Sequence, residues 1–276
     1  MLRIRFLILV ILCLIGIASV VEADNLVVAD KVMLPYLKPG TKIGDVAANP
    51  KDGARMVWVP AGEFLMGSND SYQAYIAWRP QHKVYLDGYW MYKYEVTVAQ
   101  YRKFCSETGK LMPHAPNWGW IDSHPMVSVT WQMANDYAKW AGATLPTEAQ
   151  WEKAARGTDG RKFPWGNKWD ASKCNSRFGK LERTRPVGMY PSGASPYGCM
   201  DMVGNVWEYC ADWYAVDYYK FTPGKNPTGP VNGNARVLRG GSFTSSISER
   251  LRCAYRHCAV VADFDIQAGF RCSISP

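Results

Sequence analysis

The chain has 276 residues, a formal charge of +8, and a composition that is 47% hydrophobic and 13% aromatic, with 12 Trp and 16 Tyr. That composition excludes a disordered chain, and the length suffices for one large core or two small ones. No run of Lys or Arg exceeds two residues, so the basic stripe that nucleic acids require is missing and no nucleic-acid partner is expected.

In chain order, Arg3 and Arg5 come first, followed by an apolar run from Phe6 to Val20 and a small-x-small pattern at Val21-Glu22-Ala23. The run falls short of the ~20 residues that cross a bilayer. Residues 1–23 therefore read as a secretory signal peptide, and the mature protein is expected to be periplasmic or secreted, with no stable membrane insertion after cleavage. Cys13 follows Leu12, where a lipoprotein site wants a small residue. In an oxidising compartment Cys105, Cys174, Cys199, Cys210, Cys253, Cys258 and Cys272 should mostly pair, leaving one over. No CxxC occurs, and His82, His114, His124 and His257 lack zinc-site spacing.

Residues 24–54 read as an extended leader or linker, and residues 55–276 as one domain. Met56 to Val59 predicts a strand, Pro60-Ala61-Gly62 a turn, and Phe64 to Met66 a returning strand. Residues 67–81 have no period and read as a loop. Val84 to Leu86 and Tyr89 to Met91 predict a hairpin around Asp87-Gly88. Thr97-Val98-Ala99-Gln100 matches a capping box that opens a helix burying Val98, Tyr101, Phe104 and Cys105. Thr130 opens a second helix, and Thr147 with Gln150 a third, with Trp151, Ala154 and Ala155 facing inward. Beyond Gly157 no helical period appears. So long an irregular stretch needs ions, disulfides or buried Trp to hold it.

One family resemblance runs through the chain. Met56-Val57-Trp58-Val59-Pro60-Ala61-Gly62, Glu95-Val96-Thr97, Pro125-Met126-Val127-Ser128-Val129-Thr130-Trp131 and Leu145-Pro146-Thr147-Glu148 are its first blocks. Phe163-Pro164-Trp165-Gly166-Asn167, Asp201-Met202-Val203-Gly204-Asn205-Val206-Trp207-Glu208, Arg239-Gly240-Gly241-Ser242-Phe243 and Gly269-Phe270-Arg271 follow in order. The set resembles the sulfatase-modifying factor, or formylglycine-generating enzyme, family over about residues 55–272. The resemblance implies an α+β, C-type-lectin-like fold poor in regular secondary structure.

It also implies calcium bound by the Asp201 and Glu208 carboxylates and the Gly204 and Val206 carbonyls, a donor set of hard oxygens that suits calcium on its own chemistry. A second family calcium site would use Asn175 and the Ser176 carbonyl, but its downstream Asp is absent from Phe178 to Arg185. Active family members carry two cysteines that hold copper(I) soon after the Arg-Gly-Gly-Ser block. Here Thr244-Ser245-Ser246-Ile247-Ser248-Glu249-Arg250 contains none, and hydroxyls are too hard to replace thiolates. Cys253 and Cys258 share the spacing but fall in a later, structural block. Copper and formylglycine formation are therefore not expected. Arg239, Arg256 and Arg271 read as buried braces.

The expected ligand site is a C-terminal cleft of Trp207, Ser242, Arg250 and Arg252, holding an unknown small ligand, peptide or protein partner. Two functions remain open. One is an accessory or binding protein; the other is an oxidative maturation enzyme of the PvdO-like type that the resemblance brings with it, with Glu249 as the candidate acid or base.

Overall fold

Large apolar side chains at Met56 to Val59 leave the strand they form without a solvent face, so both of its sides must be covered. The computed structural model describes residues 37–70, 76–260 and 265–276. Residues 1–23, read as a signal peptide, lie outside the described residues, as does the leader as far as residue 36. Within the segment read as a leader or linker, residues 46–48 form a strand. This is β1 (Val46–Ala48), which pairs antiparallel with β2 (Arg55–Val59). β3 (Gly62–Met66) and β4 (His82–Leu86) make a two-stranded sheet, and β5 (Tyr89–Tyr92) pairs with β2. The C-terminal β10 (Ser273–Ile274) closes the first sheet, in the order β1-β2-β5-β10.

The hairpin expected at Asp87-Gly88 does not form, since β4 and β5 belong to different sheets. Gly88 serves close approach instead of a turn: a Cβ there would lie 2.4 Å from the Trp58 ring. Asp87 is drawn away toward the C-terminal half, its amide donating to Asn226 at 3.0 Å. The returning strand at Phe64 likewise pairs with β4 and not with β2.

The three helices start where their caps predict. Thr97 and Gln100 close a capping box on α1 (Val98–Thr108), Thr130 accepts from the Met133 amide at the start of α2 (Trp131–Trp140), and Thr147 with Gln150 repeats the box on α3 (Glu148–Arg156). Tyr101, Phe104, Tyr137 and Phe270 pack ring on ring between α1 and α2. α3 is sunk in the main core, with Trp151 and Ala154 against Val59, Phe64 and Leu86.

Beyond α3 the described residues hold no further α-helix. β6 (Trp207–Trp213), β7 (Ala235–Arg239), β8 (His257–Val260) and β9 (Ala268–Gly269) form a sheet in the order β8-β7-β6-β9. What holds the loops is a set of buried guanidiniums. Arg239 bonds Glu152 at 2.5 Å and the Cys253 and Ala254 carbonyls; Arg256 grips both Glu148 oxygens and the Ala77 and Ala215 carbonyls. Arg271 spans Glu208 and the Tyr92, Lys93 and Met200 carbonyls. Breaking such a buried pair from one side costs about 3–5 kcal/mol, because the other charge stays behind in a dry interior. Arg236 lies between the Trp131 and Trp213 rings, 3.6 and 3.4 Å from their centroids.

The expected disulfides do not form: all seven cysteines among the described residues are free, and six are buried. The positions where the resemblance would put helical partners are Ala138 and Ala155, both in the core. Cys199, Cys210 and Cys253 pack there as small apolar side chains.

Candidate functional site

The Asp201 to Glu208 loop is set by three residues in the left-handed region. Asp201, Gly204 and Asn205 lie at φ +55°, +80° and +58°. Gly204 is required twice over, since a Cβ would meet the Asn175 carbonyl oxygen at 2.4 Å. The turn puts Asn205 at the centre of a buried knot. Its Nδ2 donates to Glu95 at 2.8 Å, and its Oδ1 accepts from the Asn175 side chain and the Arg185 amide.

Three carboxylates gather around this turn. Glu208, fully buried, accepts both Arg271 bonds at 2.6 Å and the Trp151 indole at 2.8 Å. Asp201 accepts from the Gly188 amide at 2.6 Å, and burial pushes its carboxyl up to about 6. Glu95, which the sequence reading left out of the site, is 1% exposed and one of its oxygens has no partner. Burial first, then the charges of Asp201 and Glu208, hold its carboxyl well above the usual range. Arg271 is the nearby cation and it belongs to Glu208, so Glu95 and Asp201 have no cation of their own and burial drives Glu95 toward its neutral form. A divalent cation would favour the ionised form of both.

Among the described residues no three His, Cys, Asp or Glu side chains already converge as a metal cage. An ion here would need backbone carbonyls such as those of Gly204 and Val206, which is ordinary for calcium. The donors are hard oxygens of the kind calcium takes, and since Arg271 engages both Glu208 oxygens and Trp151 one of them, an ion would have to share that carboxylate.

At the second site Asn175 Oδ1 and Ser176 Oγ are buried without partners, while Asn175 Nδ2 donates to the Arg183 carbonyl. Thr184, buried beside His124, lies between Arg183 and Arg185 in the stretch from which the expected Asp is absent.

The cleft expected around Trp207 is not open at that point. Ser242 is fully buried, its hydroxyl tied to Thr244 and Gln267, and Trp207 is covered by Tyr255 and His257. Arg252 is buried and paired with Asp70. Arg250 is exposed, and Glu249 accepts from Ser248 at 3.1 Å. The open space lies next door: a cavity of about 240 Å3 lined by Trp78, Tyr214, Val216, Tyr255, His257 and Cys258 among others. Glu249, Arg250 and Arg252 do not line it. His257 is held below its usual pKa by burial and then by Arg250, so it presents a neutral imidazole at pH 7.

Where the family's thiols would stand, Ser245 is buried and its hydroxyl accepts from the Ser242 amide at 3.0 Å. Cys253 is wholly inside the core, whereas Cys258 borders the cavity. Burial raises both thiols, Cys253 to about 12.

The family of sulfatase-modifying factor enzyme 1-like domains matches residues 42–276. The chain is 32% identical over 280 residues to the formylglycine-generating enzyme of Mus musculus, covering 79% of this chain and 74% of the mouse protein. It is 36% identical over 244 residues to serine/threonine-protein kinase pkn1 of Chlamydia caviae, covering 79% of this chain but spanning only 37% of the length of that relative. The structure of PvdO from Pseudomonas aeruginosa superimposes with a TM-score of 0.75 at 25% identity, over 85% of this chain and 99% of PvdO.

Proposed function

The chain belongs to the sulfatase-modifying factor enzyme 1-like family, and from that premise we propose that it is an exported, calcium-dependent binding or accessory protein without formylglycine-generating activity. One observation carries the reading. The segment Thr244 to Arg250 holds no thiol, and the hydroxyls of buried Ser242 and Ser245 and half-buried Thr244 are spent on one another, on the Ser242 amide and on Gln267. Hard, high-pKa hydroxyls do not replace thiolates on copper(I). Export rests on the Arg3/Arg5 segment and the short apolar run; no helix among the described residues is long and apolar enough to cross a membrane.

Calcium would be held by Asp201, the Gly204 and Val206 carbonyls, and Glu208, with Glu95 supplying the charge that Arg271 takes from Glu208. The bound ion would fix the loop that carries Trp207. The ligand would enter the cavity beside Trp207, between Tyr214, Tyr255 and His257. At about 240 Å3 it falls below the ~300 Å3 of common small-molecule pockets and suits one side chain or ring of a larger partner.

The likeness to PvdO supports a second reading, oxidative maturation of a small molecule or peptide, with His257 and Cys258 as the polar groups at the cavity. One assay tests the missing formylglycine formation, which both readings expect. A cysteine-containing sulfatase peptide incubated with the full chain and copper(I) should keep its cysteine, as read by mass spectrometry. Turnover that vanishes in Cys258→Ser would replace the binding reading with an enzymatic one.

A further inference from the structure

A larger cavity than the one beside Trp207 lies elsewhere on the chain. It has a volume of about 730 Å3 and is lined by Trp165, Asn167, Lys168, Trp169, Asp170 and Lys173 among others. Its floor is aromatic and rigid. Trp165 stacks on buried Phe163 with centroids 5.5 Å apart and planes 9° from parallel, and its indole N–H is spent on the Lys168 carbonyl at 2.9 Å. Trp169 packs against Phe163, Trp165 and Phe178 at 5.3, 6.0 and 5.4 Å. Both indoles remain partly exposed, and Phe178 is 45% exposed. Since the Trp165 N–H is consumed, that ring has only its face to offer a ligand.

The geometry selects among ligands. The two indole planes are inclined by 46°, so one planar aromatic molecule cannot stack on both. A chain of puckered rings tilted relative to one another can. A pyranose also presents axial C–H bonds, made slightly positive by neighbouring oxygens, to the negative face of an aromatic ring. Its hydroxyls would need a polar rim, which Asn167, Lys168 and Asp170 provide.

Asp170 is partly committed, accepting from Ser172 at 2.6 Å and lying 3.8 Å from Lys173. Lys168 is exposed, and no carboxylate among the described residues lies within ion-pair distance of it. The rim thus carries one unspent positive charge. Single-stranded nucleic acid also stacks on aromatics, but it wants a continuous basic track along its backbone. Here Asp170 interrupts the lysines.

We propose that the Trp165–Trp169 surface is a glycan-binding site that prefers uronate-bearing chains, whose carboxylate meets Lys168. The surface adjoins the segment after Ser242, since Arg177 donates to the Ser245 carbonyl and Cys253 to that of Lys162. It shares no lining residue with the cavity beside Trp207.

Calorimetric titration of the full chain with oligogalacturonate, cellohexaose and oligo(dT) tests the assignment. Oligogalacturonate should bind best, Trp169→Ala should weaken it about tenfold as one stacking face is lost, and Lys168→Gln should erase the preference over cellohexaose. Lys168→Gln should melt like the parent, and Trp169→Ala should stay folded with a midpoint lowered by its lost packing on Phe163, Trp165 and Phe178. Absence of heat with either oligosaccharide, undiminished binding by Trp169→Ala, or stronger binding of oligo(dT) would each overturn it. None of these outcomes bears on the cavity beside Trp207.

Discussion

Glu95 and Asp201 are costly residues to bury without a cation, and that gives the calcium reading a test at the scale of single side chains. With calcium bound only to the folded state, a hundredfold excess over Kd adds about 2.7 kcal/mol, on the order of 5–10 °C for a domain of this size. Melting in calcium should therefore exceed melting in chelator by that amount. Glu95→Gln and Asp201→Asn should shrink the gap, because each removes a carboxylate that the ion would bind, while the chelator midpoint stays at or above that of the parent. Identical midpoints with and without chelator in the parent would sink the assignment. Asp201 and Glu208 came with the family resemblance, since both lie in one contiguous block. Glu95 could not be placed with them, since its bond to Asn205 joins residues 110 positions apart. Its sequence signals are its place in the Glu95-Val96-Thr97 block and its position between the hydrophobic Tyr94 and Val96.

At the scale of elements, what could be read was what is decided locally. A capping box involves four consecutive residues, so Thr97 and Thr147 announced α1 and α3 without reference to the rest of the fold. Strand partnership is not local. Asp87-Gly88 carries a turn signature, yet the Trp58 ring, brought over Gly88 by the pairing of β2 with β5, decides what that glycine does. The outer face of α3 misleads in the same way. Glu148, Glu152 and Arg156 look like a solvated stripe, but their partners Arg239 and Arg256 lie 87 and 108 residues from the glutamates they bond. Since α3 anchors this network, weakening its start should be felt globally. Thr147→Ala should lower unfolding stability by about 1 kcal/mol, the usual worth of such a cap, read by denaturant titration with an unchanged m-value. No change in midpoint would mean that tertiary packing alone sets the helix start.

For the whole molecule, proton uptake on folding shapes stability. Asp212 is fully buried and accepts from the Glu148 amide at 2.8 Å. Burial, then the Glu148 charge, raises its carboxyl to about 8 from an ordinary value of 3.8. Between those two values the folded chain holds a proton that the unfolded chain has released, so this group's contribution to stability falls as pH rises from about 4 to 8. Asp212→Asn keeps an acceptor for the amide but cannot ionise. It should gain on the parent progressively across that window, and parallel melting curves at pH 5 and pH 8 would refute the shift.

The free thiols bear on how the molecule can be studied. Six of the seven are sealed in the interior, and Cys258 alone borders open space. A maleimide dye or spin label added to the folded chain thus has one preferred point of attachment among the described residues, at the rim of the cavity assigned to the partner. A label attached there would report occupancy of the cavity with no cysteine to engineer among the described residues.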